Sequence, residues 1–264
     1  MIRAATTALL GLCLLATARA DEPAPTVTSA LARALTQAEG SGALARVLGT
    51  HRFQLTRSLH TLEGAPRGQT VLDMVYEISL QAGLLVVAVD VRSPGDVSGV
   101  SIRYEVEARE GRLLRLESSF GNGQKVSARL EGRTLRVTEQ PFGGEPVTRE
   151  EQVDPAALCP KVVGAFILPM LHDQGLPPRL PFRDLDPFGR VGPPAVLRRA
   201  FTSAGEVVFC TDEGGGFPGT TLRVPLRGPH AGRVEVFETV SEQQKTPSGE
   251  DRVVHLARSV RKPD

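Results

Sequence analysis

A chain of 264 residues, 41% of them hydrophobic, carries enough apolar side chains for a substantial core and does not have the composition of a disordered polymer. Its 31 basic and 30 acidic residues leave a formal charge of +1, which excludes a general electrostatic attraction to nucleic acid or to an anionic membrane surface. The charges alternate in sign along the chain, the pattern of solvated faces.

In chain order, the first element is a leader. Arg3, an apolar stretch from Ala8 to Ala16, and Ala18-Arg19-Ala20 ahead of Asp21-Glu22 have the three-part layout of a secretory signal peptide, residues 1–20, cut between Ala20 and Asp21. The apolar run falls short of the roughly 20 residues of a spanning helix, and no later segment reaches that length. The mature chain is therefore expected in the periplasm or the medium, with no integral membrane span. Basic residues are nearly all Arg, with Lys only at 125, 161, 245 and 262, a bias typical of GC-rich bacterial genomes. Leu12 precedes Cys13 where a lipidation site takes a small residue, so an ordinary leader is the expected reading.

After a short loose leader-end, Leu31, Leu35, Leu44, Val47 and Leu48 recur at helical spacing over residues 28–48, with Thr28 or Ser29 as N-cap and Gly40-Ser41-Gly42 dividing two short helices. From Thr50 the period becomes two. Phe53, Leu55 and Leu59 share one face; Leu72, Met74, Tyr76, Ile78 and Leu80 share another; similar alternation marks 102–108, 125–131 and 134–138. Gly-containing turns separate these runs, as hairpins require. Residues 84–91 are apolar on both faces, which predicts a strand covered on both sides.

Residues 153–175 break the pattern. Asp154 predicts an N-cap, Pro155 a first helical residue and Gly175 a stop, with Val162 to Leu171 apolar on nearly every side. Pro160 and Pro169 restart or kink this helix. Ten apolar residues make a buried core helix rather than a membrane span. A proline-rich connection with one short strand follows over 176–194, strands resume at 195–202, 205–211, 220–226, 232–240 and 252–260, and 214–219 form a turn. The expected fold is mainly β, with residues 21–264 as a single β-rich domain. It is a large curved antiparallel sheet or unclosed β-barrel, with the kinked apolar helix packed on its inner face and short N-terminal helices.

No hydrolase elbow, zinc-protease, Walker, dinucleotide-binding or paired CxxC motif is present, so no catalytic residue, metal ligand or cofactor is expected. With Cys13 lost, Cys159 and Cys210 are the one possible pair. In an oxidising compartment they form a disulfide, closing a loop of about 50 residues worth about 4 kcal/mol, or they stay as two buried thiols. Cys159 at a helix start is a conceivable nucleophile, without any surrounding signature. His172-Asp173 reads as a helix-end cap, and Arg183, Asp184 and Asp186 read as turn residues or a polar cluster. Arg57 falls by alternation on the face of Phe53 and Leu55. It calls for a partner or a ligand anion, or marks a bulge or a strand end. If the helices leave the concavity unfilled, Met74, Tyr76, Phe166 and Met170 line a cavity for a lipid-like ligand; otherwise the core is filled.

A leader, a long meander and a late apolar helix resemble the half-barrel of the LolA/LppX-type periplasmic lipoprotein carriers. The segments GRLLRLESSFGNG (111–123) and LPMLHDQGLPP…DLDPFGRV are similar to β-rich regions that precede transglutaminase-like domains in bacterial exported proteins. The first resemblance implies acyl-chain binding without catalysis. The second implies an accessory module with an envelope protein partner. The expected function is thus non-enzymatic binding of an apolar or lipid-like ligand, or else a structural or protein-interaction module with a filled core.

Overall fold

A computed structural model describes residues 25–61, 66–94, 99–212, 218–243 and 253–263. The predicted leader, its expected cut site and most of the glycine-rich 214–219 segment lie outside the described residues.

Alternating side chains and glycine turns produce two meanders. The first runs through β1 (Gly49–Thr61), β2 (Pro66–Gln81), β3 (Leu84–Arg92), β4 (Gly99–Glu107), β5 (Arg112–Phe120), β6 (Lys125–Glu131), β7 (Thr134–Gln140) and β8 (Val147–Gln152). The second runs through β9 (Arg179–Leu185), β10 (Val191–Thr202), β11 (Glu206–Asp212), β12 (Pro218–Pro225), β13 (Val236–Gln243) and β14 (Val253–Arg261). Strand β14 returns to pair with β1, so both meanders join one antiparallel sheet of 14 strands, ordered β8 to β1 and then β14 to β9. No ladder joins β8 to β9 among the described residues, and the sheet is open rather than a closed barrel.

The crossover from β8 to β9 must pass from one sheet edge to the other, and it carries the helix over the concave face. Its first part lies along β9: Cys159 N–H donates to the Arg183 carbonyl at 3.0 Å, and Arg183 N–H donates to the Ala157 carbonyl at 2.7 Å. The β9–β10 turn reaches back to the first meander, where Phe188 stacks on Phe120 at 4.7 Å and Arg149 donates to the Phe188 and Gly189 carbonyls. Gly189 has φ +72°, and a Cβ there would stand 2.7 Å from Val137 Cγ1, so this approach requires glycine.

The helix α1 (Val27–Ser41) buries Val27, Leu31, Ala34, Leu35 and Ala38, one face at helical spacing. Its N-cap is Thr26, whose hydroxyl accepts from Ser29 N–H at 3.2 Å, rather than the expected Thr28 or Ser29. Thr28 donates instead to the Ala156 carbonyl, tying α1 to the crossover. A short 3-10 turn, Ala43–Arg46, follows Gly42.

The expected helix over 154–174 is shorter than its pattern. Asp154 accepts from Ala156 N–H in a local turn, because the residues up to Cys159 are engaged along β9. Helical structure, α2, consists of a π segment, Val162–Ile167, running into an α turn, Leu168–Met170. Leu168 N–H bonds the Val163 carbonyl five residues back. That wider turn spares the clash an α-helix would force between the Pro169 ring and the carbonyl four residues earlier. The sheet also differs from expectation at β3. Val86 is buried, yet Ala88 and Asp90 on the same outer face are only half-buried, because side chains of adjacent strands flank this row and no helix or strand of the described residues is layered on it. Strand β8 has no alternating signature in Val147-Thr148-Arg149-Glu150-Glu151-Gln152 and forms as an exposed edge.

Candidate functional site

The core lies between the inner face of the sheet and the two helices, and its centre is aromatic. Strand alternation points Phe53 of β1, Tyr76 of β2 and Phe237 of β13 inward, and α2 lowers Phe166 among them. Phe166 stacks on Tyr76 with centroids 4.5 Å apart and planes 14° apart, and it meets Phe53 and Phe237 edge-on at 5.6 and 6.1 Å. Such pairs contribute about 0.5–1.5 kcal/mol each beyond burial.

Beneath this cluster a buried polar relay fastens the C-terminal strand. His51 Nε2 donates to the Val47 carbonyl at 2.8 Å, and its Nδ1 accepts from Arg261 Nη2 at 3.0 Å. Arg261 Nε donates to the Val234 carbonyl at 2.9 Å, and the guanidinium sits 4.9 Å from the Phe53 ring centroid. These contacts place Phe53 and β14 against the start of β1.

Between the start of α2 and strands β12 and β13 the packing leaves a cavity of about 170 Å³ that opens to solvent. Tyr76, Phe166 and Phe237 form its aromatic wall, with Val162, Ala165 and Leu222 completing the apolar lining. Lys161, Thr220 and Thr239 stand at its polar margin, and among the described residues no carboxylate lines it. The two threonine hydroxyls hydrogen-bond each other at 3.1 Å. Burial raises the Tyr76 hydroxyl far above the ordinary phenol range, so this wall stays neutral.

Of the residues predicted from sequence, Tyr76 and Phe166 meet at this cavity. Met74 is 6% exposed and pairs with Phe53, while Met170 is fully buried; both belong to filled core rather than to the lining. Arg57 is exposed although alternation sets it on the face of Phe53 and Leu55; it pairs in regular register with Ala257 and Thr70, and the irregularity of β1 comes only at Leu59/His60. Lys161, Thr220, Leu222, Phe237 and Thr239 were not anticipated. The alternation of β12 and β13 marked their faces, but which strands lie opposite α2 depends on the β1–β14 junction.

The predicted disulfide is corrected: Cys159 and Cys210 are free thiols. Cys159 belongs to the inner core beside Gly164, where a Cβ would come within 3.2 Å of its sulfur. In β11, Val207 and Phe209 point into that core, so parity sends Val208 and Cys210 to the outer face. A sheet thickness separates the sulfurs. Burial, helped by Asp184, raises the Cys159 thiol well above its usual range, which disfavours a nucleophilic thiolate.

The polar clusters resolve into supports. The Asp184 carboxylate accepts from Lys161 N–H at 2.5 Å at the start of α2, Asp186 accepts from Phe188 and Arg190 N–H, and Arg183 donates to the Gly192 carbonyl. His172 Nδ1 lies 3.2 Å from the Pro169 carbonyl at the far end of α2, and Arg46 grips the Asp173 carboxylate with contacts of 2.6 and 2.8 Å. Among the described residues no group of three or more His, Cys, Asp or Glu gathers to hold a metal ion, and no helix is long and apolar enough to cross a membrane.

No protein family model matches the chain, and no curated protein matches it. A solved structure of a DUF3598-family protein of unknown function from Nostoc punctiforme aligns with 83% of this chain and 98% of its own, at 12% identity and a TM-score of 0.17. A likeness of that size carries no argument.

Proposed function

We propose that this is an exported, non-enzymatic cell-envelope protein that binds an apolar group in the cavity beneath the start of α2. The observation that carries the reading is that solvent-open, aromatic-walled space of about 170 Å³. Lipid- and drug-sized ligands need cavities of about 300–1,000 Å³, while an apolar cavity of about 150 Å³ takes one benzene. The occupant is therefore a single ring or the end of one chain. At about 0.8 kcal/mol per methylene, six buried carbons contribute about 5 kcal/mol, a dissociation constant near 0.2 mM before any contact outside the cavity. Export rests on the leader pattern of residues 1–20, and the absence of catalytic motifs favours binding over turnover.

Displacement of a fluorescent alkyl-naphthylamine probe tests the reading. The native chain takes up the probe, and Val162→Phe, placed at the half-buried margin of the cavity, abolishes uptake without lowering the melting temperature. Equal uptake by the two proteins, or none by either, overturns it. A second reading, a structural module with a filled core and an envelope partner, draws support from the complete burial of Met170 and the near-complete burial of Met74. It predicts no uptake by the native chain.

A further inference from the structure

The cavity opens beside a polar line that crosses the inner face where the core ends. The pairings Thr211↔Thr220↔Thr239↔Ala257↔Arg57↔Thr70 set six residues in one row over β11, β12, β13, β14, β1 and β2. The next row toward the core is Phe209, Leu222, Phe237, Ser259, Leu55 and Leu72, apolar at every position but one. Thr211 and Thr220 are buried and Ala257 interrupts the hydroxyls, so the accessible polar surface begins at half-buried Thr239, a residue of the cavity lining, and continues to exposed Arg57 and Thr70.

Arg57 holds the charge in that row. It is exposed, and no described carboxylate forms an ion pair with it. It stands two strands from Thr239, about 10 Å at the usual 4.8 Å strand spacing. The cavity margin adds Lys161, but the Asp184 carboxylate lies against the backbone N–H of that residue, so the charge argument rests on Arg57. Apolar depth, a margin of hydroxyls and a nearby guanidinium are the complement of a molecule with one hydrocarbon end and one anionic end.

We infer that the occupant is a single-chain amphiphile with an anionic head, a carboxylate or a phosphate monoester. Its chain end enters the cavity, and its head rests beside Thr239 within reach of Arg57. This rests on the proposed cavity reading and adds what that reading leaves open, the charge of the ligand.

The test uses the full chain and four ten-carbon probes: decanoate, decyl phosphate, decanol and decyltrimethylammonium, each competing with the naphthylamine probe. Decanoate or decyl phosphate binds about fivefold more tightly than decanol, the size of an exposed charge pair, and the ammonium binds most weakly. Which anion is the tighter identifies the head. Arg57→Gln removes the fivefold advantage and leaves decanol unchanged, as does raising the salt to screen an exposed pair. Arg57 is exposed, so this variant keeps the fold. Equal affinities for decanoate, decyl phosphate and decanol, or an Arg57→Gln effect of the same size on decanol, overturn the inference while leaving the cavity reading standing. Failure of all four probes to compete overturns both.

Discussion

Replacing Phe166 with alanine tests whether α2 is held on the sheet by its aromatic contacts. Phe166 is 4% exposed, stacks on Tyr76 at 4.5 Å, and meets Phe53 and Phe237 edge-on at 5.6 and 6.1 Å. Removing a buried Phe costs about 3–5 kcal/mol in transfer and cavity terms. The site already borders an open cavity, so water or neighbouring side chains can enter part of the space, and a loss of about 4 kcal/mol is expected. For a chain of this size, about 2–4 °C of melting temperature accompanies each kcal/mol, giving a fall of about 8–16 °C in a calorimetric scan. The enlarged space also has a specific signature. Benzene or toluene recovers part of the lost melting temperature in Phe166→Ala and has a smaller effect on the native chain. A fall of less than about 3 °C, or an equal response of the two proteins to benzene, would refute the seating of Phe166 against Tyr76.

Three further outcomes follow from single contacts. A chain starting at Asp21 reacts slowly with a thiol reagent and exposes two thiols on denaturation, and reductant leaves its melting temperature unchanged; a mass two hydrogens lower after non-reducing isolation would show a bridge. Burial, with Arg46 and Arg199 nearby, lowers the His172 pKa against the opposing pull of Asp173 and the Pro169 carbonyl. The folded state therefore binds fewer protons than the unfolded chain, and the stability His172 contributes is full above the ordinary imidazole value of about 6.5 and is lost as the pH falls below it. His172→Gln flattens that part of the curve, so identical melting-temperature losses for both proteins between pH 8 and pH 5.5 would contradict the sign. Ala82, in the β2–β3 turn with Gly83, has φ +49°, a left-handed conformation costing an L-residue about 1–2 kcal/mol. Since glycine loses about 0.5–1 kcal/mol more entropy on folding, Ala82→Gly raises stability by about 0.5–1 kcal/mol in urea titration.

What the residues made legible was the periodicity of each strand, and with it the fold. Tyr76 and Met74 in β2, Ile102 and Tyr104 in β4, and Leu135 and Val137 in β7 each declare an inner face by alternation alone. A one-residue slip would have turned those sets to solvent, so the pattern fixes register as well as class. Strand β8 escaped because an exposed edge needs no apolar face. The helix start was misplaced because Asp154 and Pro155 make an equally good turn, and only the pairing of Ala157 and Cys159 with Arg183 decides between the two. The disulfide failed on the same parity that gave the fold. Cys210 follows inward-pointing Phe209, so its outward direction was readable once Phe209 was taken as core.

The cavity was harder to read because it arises from a misfit, not from a pattern. Pro169 cannot donate to the carbonyl four residues back, and the wider π turn that accommodates it spreads Val162 to Ile167. Within that turn the residues at 164 and 165 are glycine and alanine. Gly164 allows the approach to Cys159, and Ala165 presents one methyl group toward Leu222 and Phe237. A larger side chain at 165 would fill the space that Phe166 and Tyr76 wall on the other side. Sequence alone shows Gly164-Ala165-Phe166 as a small-small-large step, which fits a close helix–sheet contact as well as it fits a void. The distinction comes from the opposite wall, where the inner face changes from Leu222 and Phe237 to Thr220 and Thr239 within one step of each strand. Thr220 is buried and bonded to Thr239, which stays half-buried, so the wall turns polar only toward the outer end of the void, a step that no local pattern announces.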